Sequence, residues 1–169
     1  MKPFVKFGLL NGALAIVWQL LMYITGLNRN ADAQLINTLS IAISIILMYL
    51  AVKDFRQDEG KGWIKFGKAF NISFMVGLIG GLISTTFYFI YISFIDKDFI
   101  DYQKKLQYDK MSEKGMSEEM VEKAMKQAET FMTPQMQFII GLIFTLILSA
   151  LLALVISAIM KKANPEEIS

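Results

Sequence analysis

The stretch that decides the fold is Thr130–Met160, TFMTPQMQFIIGLIFTLILSALLALVISAIM, 31 residues without one charged side chain. A helix crosses the hydrocarbon core of a bilayer in about twenty residues, so this run is long enough with residues to spare. Working outward, three further runs carry no charge: Phe7–Asn28 with 22 residues, Ala33–Val52 with 20 and Ala69–Ile95 with 27. Together they take 100 of the 169 positions and leave 69 for loops and tails. That remainder is too small for a substantial soluble domain beside the membrane part. The expected fold is therefore all-α, a polytopic membrane protein with four transmembrane helices forming a single domain over residues 1–169. The spans are expected at roughly 4–25, 35–52, 69–95 and 136–160, with a helical extracytoplasmic insertion between helices three and four, over roughly 96–135.

The distribution of charge sets the orientation. Lys2 and Lys6 precede the first span, Lys53, Arg56, Lys61, Lys65 and Lys68 lie between the second and third, and Lys161 and Lys162 follow the fourth. All nine fall on one side, whereas the short loop on the other side has Arg29 alone. Basic flanks stay cytoplasmic, so both termini are expected inside and the long loop from Asp96 to Gln137 outside. Lys2, Lys6, the apolar run and Ala31-Asp32-Ala33 mimic a cleaved secretory signal. The run is too long for such a segment and contains Asn11, Trp18 and Gln19, so it is expected to remain as span one.

Composition removes several classes of chemistry. The chain has no cysteine and no histidine. Disulfides, thiol catalysis, thiolate or histidine metal sites, histidine-ligated haem and Ser-His or Cys-His dyads are thereby excluded. No Asp, Glu, Lys or Arg sits mid-span, which argues against a pump or symporter. No catalytic residue, metal site, cofactor or nucleic-acid partner is expected.

Each span carries a stripe of small or weakly polar residues. Gly8, Asn11, Gly12, Ala15 and Gln19 mark span one, and Asn37, Ser40 and Ser44 mark span two. Span three has Gly77, Gly80, Gly81, Ser84 and Thr85. Span four has Gly141, Thr145, Ser149, Ala153 and Ser157, each four residues apart. Lipid gives helices no hydrophobic reason to associate, so close backbone approach and interhelical hydrogen bonds must hold them. Gly8, Gly12, Gly77, Gly81, Gly141, Ser149, Ala153 and Ser157 are thus candidate helix-packing positions. They serve the bundle or a homodimer, the bundle being favoured because all four spans show the stripe. A small-solute channel or facilitator lined by the polar members, with Asn71 among them, is the alternative.

The loop expected outside is rich in Lys, Glu, Met and Ala, and Ser117-Glu118-Glu119 suits a helix start. Met116, Met120, Ala124, Ala128 and Met132 recur every four residues, with Val121 and Met125 beside them. Six of the eleven methionines lie from Met111 to Met136. Thioethers suit Cu(I), but methionine on an apolar helix stripe is foremost an adaptable packing or partner surface. Met116, Met120, Met125 and Met132 are therefore candidates to contact a protein partner, a lipid surface or a second copy. Asp96, Asp98 and Asp101 read as a solvated helix start rather than a divalent-cation site, and Phe87, Tyr88, Phe89, Tyr91 and Phe94 as an interfacial aromatic belt. The basic connector, with Trp63, Phe66 and Phe70 at helical spacing, reads either as an amphipathic lead-in to span three or as a plain loop with one tryptophan anchor.

Lys6-Phe7-Gly8, Val52-Lys53-Asp54-Phe55-Arg56, Phe66-Gly67-Lys68-Ala69-Phe70, Tyr91 through Asp96 and the Lys161-Lys162 exit together resemble the bacterial four-span family known as domain of unknown function forty-one ninety-nine. Members typically have proline where this chain has Lys97. The resemblance implies a bacterial inner-membrane protein with cytoplasmic termini, and it brings no activity, ligand or site residue.

Overall fold

A computed structural model describes residues 1–30 and 39–162. Ala31-Asp32-Ala33, Asn37 and the expected start of span two lie outside the described residues. Six α-helices are present among them. Helix α1 is Pro3–Ile24, α2 Leu39–Asp58, α3 Phe66–Ile90, α4 Phe99–Glu113, α5 Glu118–Glu129 and α6 Pro134–Met160. Three segments are long and apolar enough to cross a membrane: Pro3–Ile24, Phe66–Ile95 and Pro134–Met160. Helix α2 differs because its charge-free described part, Leu39–Val52, rises only about 21 Å before Lys53.

Local chemistry sets the helix ends. Pro3 occupies the first turn of α1, where its missing N–H costs nothing. The helix stops where Thr25 Oγ1 donates to the Leu21 carbonyl at 2.7 Å and Gly26 turns left-handed at φ 72°. Helix α6 opens on Pro134, and Thr133 Oγ1 accepts from the Met136 amide at 3.3 Å. Ser117 stands at the N-cap of α5 with extended backbone and without a side-chain cap bond, so the acidic first turn is the stabilising feature there. Beyond Ile90, α3 widens into one π-helical turn, Tyr91–Ile95.

The chain forms two compact units. Unit one holds Met1–Ser84 and Leu142–Ser169. Its core is built from Leu47, Met48, Ala51 and Val52 of α2, Ile64, Ala69, Ile72 and Val76 around α3, and Ile156 and Met160 of α6. Leu10, Val17, Leu21, Ile46, Ile143, Phe144, Ile147 and Val155 are exposed on its surface. Helices apolar on their outward faces as well as their inward ones suit lipid as the surrounding medium.

Nine of the ten lysines and arginines of unit one, all but Arg29, gather at one end. Lys6 Nζ lies 3.8 Å from Asp54 Oδ2. Arg56 Nη1 donates to the Met160 carbonyl at 3.4 Å, occupying an acceptor the last turn of α6 leaves open. The Ile64 amide donates to the Lys162 carbonyl at 3.0 Å, and the Lys162 amide returns a bond of 2.9 Å to Ile64. The connector is thus a hydrogen-bonded turn with Lys61 at φ 48° and Gly62 at φ 92°, and α3 begins only at Phe66.

Unit two holds Thr85–Gly141. Helices α4 and α5 form a hairpin that turns through Gly115 at φ 77°. Its core joins Tyr91, Ile92, Phe99 and Ile100, with Phe87, Tyr88, Tyr102 and Met132 packed around them.

Candidate functional site

Among the described residues, a dense group of polar side chains lies in unit two, where α3 ends. A π turn accommodates one more residue than an α turn and so re-aims the side chains that follow it. Here the Asp96 amide bonds back to the Tyr91 carbonyl at 2.8 Å, and Tyr91 Oη donates to Asp96 Oδ2 at 2.6 Å. Tyr91 is fully buried and Asp96 is 4% exposed. The short bond supplies a partner to a carboxyl group that would be costly to bury unpaired. The Phe99 ring meets Tyr91 edge-on, centroids 5.8 Å apart, and Tyr88 stacks on Tyr91 at 6.3 Å.

Beside this pair three side chains close a hydrogen-bonded ring. Tyr88 Oη donates to Gln137 Oε1 at 3.0 Å, Gln137 Nε2 to Gln103 Oε1 at 3.2 Å, and Gln103 Nε2 to Tyr88 Oη at 3.4 Å. Each member donates once and accepts once, so the ring links α3, α4 and α6 without leaving its participating groups unpaired. It positions helices and presents no free nucleophile or acid–base pair.

Of the aromatic residues at the end of α3, Tyr88 and Tyr91 join a packed, hydrogen-bonded cluster, while Phe94 is 69% exposed. One expectation needs correction here. Asp96 is buried rather than solvated, with Asp98 and Asp101 exposed and Asp101 3.7 Å from Lys104. The π turn is the physical cause, because it turns Asp96 inward onto Tyr91. Gln103 and Gln137 carry the ring and have no marked place in the sequence patterns. The one signal available was an amide at the start of an otherwise apolar span.

The small residues sit where helices approach most closely. A Cβ on Gly8 would lie 2.8 Å from Ile79 Cβ, and one on Gly12 2.7 Å from Ile83 Cβ, which puts both on the α1–α3 seam. Gly80 faces Asn11 on that seam. Gly77 faces Met48 and Ser149, and Gly81 faces Thr145, along α3 and α6. Gly141 faces Thr85 within unit two. Ala153 and Ser157 are fully buried, and Ser157 Oγ donates to the Leu154 carbonyl at 3.0 Å. Asn11 Oδ1 accepts from Ser44 Oγ at 2.9 Å, a bond between α1 and α2, whereas Asn71 is exposed.

The methionines divide. Met132 packs on the aromatic core of unit two, Met116 and Met125 are partly buried, and Met120 is 57% exposed. Val121, beside Met120, is the α5 residue buried completely. Among the described residues no three Asp or Glu side chains gather as a metal site.

These features define an all-helical protein with three helices able to span a membrane, compatible with a multi-pass integral membrane protein. The chain belongs to the family described as Protein of unknown function (DUF4199), whose model matches residues 6–162. No curated protein and no solved structure matches it.

Proposed function

We propose that this is a non-enzymatic, four-span protein of the bacterial inner membrane, with cytoplasmic termini and an extracytoplasmic hairpin, α4–α5, through which two copies associate. The contact between Lys6 and Asp54 supports the fourth crossing: α1 begins and α2 ends at the same end of unit one, so a chain leaving along α1 must return along α2. The Ile64–Lys162 pairing brings the start of α3 and the end of α6 together there as well. The lysines and arginines gathered at that end favour its placement in the cytoplasm. Residues 96–135 are then extracytoplasmic.

The observation that carries the association is Met120, 57% exposed on an otherwise amphipathic helix. Helix α5 has Glu118, Glu119, Glu122 and Glu129 against Lys123 and Lys126, an acidic balance unsuited to an anionic lipid surface. Methionine is enriched in protein interfaces, so a protein surface is the better cover.

The chain has no cysteine, so Met120→Cys gives a single-site cross-linking reporter. Oxidation in native membranes is expected to yield a dimer at twice 19.2 kDa, with Glu122→Cys on the polar face yielding far less. A chain that stays monomeric for Met120→Cys, or that links to a different protein, refutes self-association.

A further inference from the structure

We infer that the basic end of unit one is a binding surface for the headgroups of anionic phospholipids, centred on Trp63 and Lys162. The inference rests on the chain crossing a membrane and does not depend on self-association.

Three observations carry it. The first is charge: among the described residues nine lysines and arginines gather at this end against Asp54, Asp58 and Glu59, and Lys6 lies 3.8 Å from Asp54. The second is that the cluster is built on fixed backbone. The two-way Ile64–Lys162 pairing holds the segment that follows α6 against the connector, with Lys162 Nζ 4.6 Å from the centre of the Trp63 ring. Tight turn bonds, Trp63 amide to Gly60 carbonyl and Gly62 amide to Arg56 carbonyl, both 2.8 Å, keep Lys61 on the same turn. Lys61, Lys68, Lys161 and Lys162 are exposed.

The third observation is that apolar surface lies next to this charge. Phe66 is 41% exposed and heads a column of rings, stacking on Phe70 at 6.4 Å, which in turn stacks on Phe74 at 5.7 Å. A free phosphate would use the lysines and leave the aromatic column idle. An anionic lipid uses both, its phosphate among the ammonium groups and its first acyl carbons along the rings. Basic clusters between helices at the cytoplasmic boundary are the known chemistry for such headgroups. The partly buried Trp63 suits the same layer, since an indole combines an apolar body with a donor N–H.

The full chain with Trp18→Phe leaves Trp63 as its single tryptophan reporter. It is reconstituted in vesicles of phosphatidylcholine and phosphatidylglycerol in which one lipid or the other is brominated on the acyl chain. Trp63 emission is expected to be quenched about threefold more strongly by the brominated anionic lipid, since each lysine near the surface favours it. Replacing Lys61, Lys161 and Lys162 together by Gln should bring the two lipids close to parity. Raising the salt to about 1 M should do the same in the unsubstituted basic end, so the result does not hang on the triple variant folding. Equal quenching by both lipids at low salt overturns the anionic site while leaving the membrane reading intact. Quenching by neither overturns both.

Discussion

Gly12→Ala tests the close approach of α1 and α3. A Cβ at Gly12 would lie 2.7 Å from both Cβ and Cγ2 of Ile83 and 2.8 Å from its Cδ1. Carbon atoms rest comfortably at about 3.5–4.0 Å, so the contact is short by close to 1 Å. The Ile83 Cβ is fixed to its own backbone and cannot rotate away, so the helices must part. A gap of that size forfeits a quarter to a half of each contact's attraction along the seam, and overpacking of this kind costs about 1–3 kcal/mol. Alanine also gains up to about 1 kcal/mol in helix propensity, which would mask part of the loss. Gly67→Ala controls for that gain, because Gly67 lies near the start of α3 with nothing within 4 Å of the added Cβ. The difference between the two variants therefore isolates packing, with Gly12→Ala less stable than Gly67→Ala by about 1–3 kcal/mol in reversible unfolding from mixed micelles. Gly8 meets Ile79 on the same seam, so one displacement of α1 relieves both clashes and Gly8→Ala with Gly12→Ala should cost less than the sum. Equal stability of Gly12→Ala and Gly67→Ala would refute the close seam.

Tyr91→Phe removes a donor to the buried Asp96 side chain, and leaving a buried polar group short of a partner costs about 1–3 kcal/mol. Hydrogen exchange at the Asp96 and Phe99 amides should accelerate, and unchanged protection would count against the pair as a structural latch. Gln103→Ala and Gln137→Ala each break two bonds of the ring, so a double-mutant cycle should show about 0.5–2 kcal/mol of coupling. Strict additivity in thermal unfolding would mean the ring does not act as a unit.

The charge-free runs marked the three long apolar helices because charge is expensive in hydrocarbon. Thr133-Pro134 marked the start of α6 by a local rule of capping. Asp96 escaped that logic: an aspartate at the end of an apolar run looks solvated, and only the π turn brings it onto Tyr91. The ring of Tyr88, Gln103 and Gln137 spans 15, 34 and 49 residues between its members, distances at which sequence pattern carries no signal. The members of the methionine stripe divide for a geometric reason. A four-residue repeat overshoots a 3.6-residue turn by about 40° per step, so the stripe drifts from Met120 at the edge of the buried face of α5 towards Ala124 and Ala128, which are partly buried. Val121 marks the centre of the buried face, and Met120 lies to one side of it.

Two kinds of adhesion follow along the same helix. The middle of α3 presents Gly77, Gly80 and Gly81 to partners that nearly touch its backbone, and close packing dominates the seam. Its far end, from Tyr88 through Tyr91, trades shape for directed hydrogen bonds among groups that would be costly to bury unpaired. A glycine seam fails gradually as helices part, whereas a closed ring fails as a unit once any member is lost. Substitutions in unit one should therefore grade with the volume added. Those in the ring should depend on whether a donor or acceptor is removed, with little regard to size.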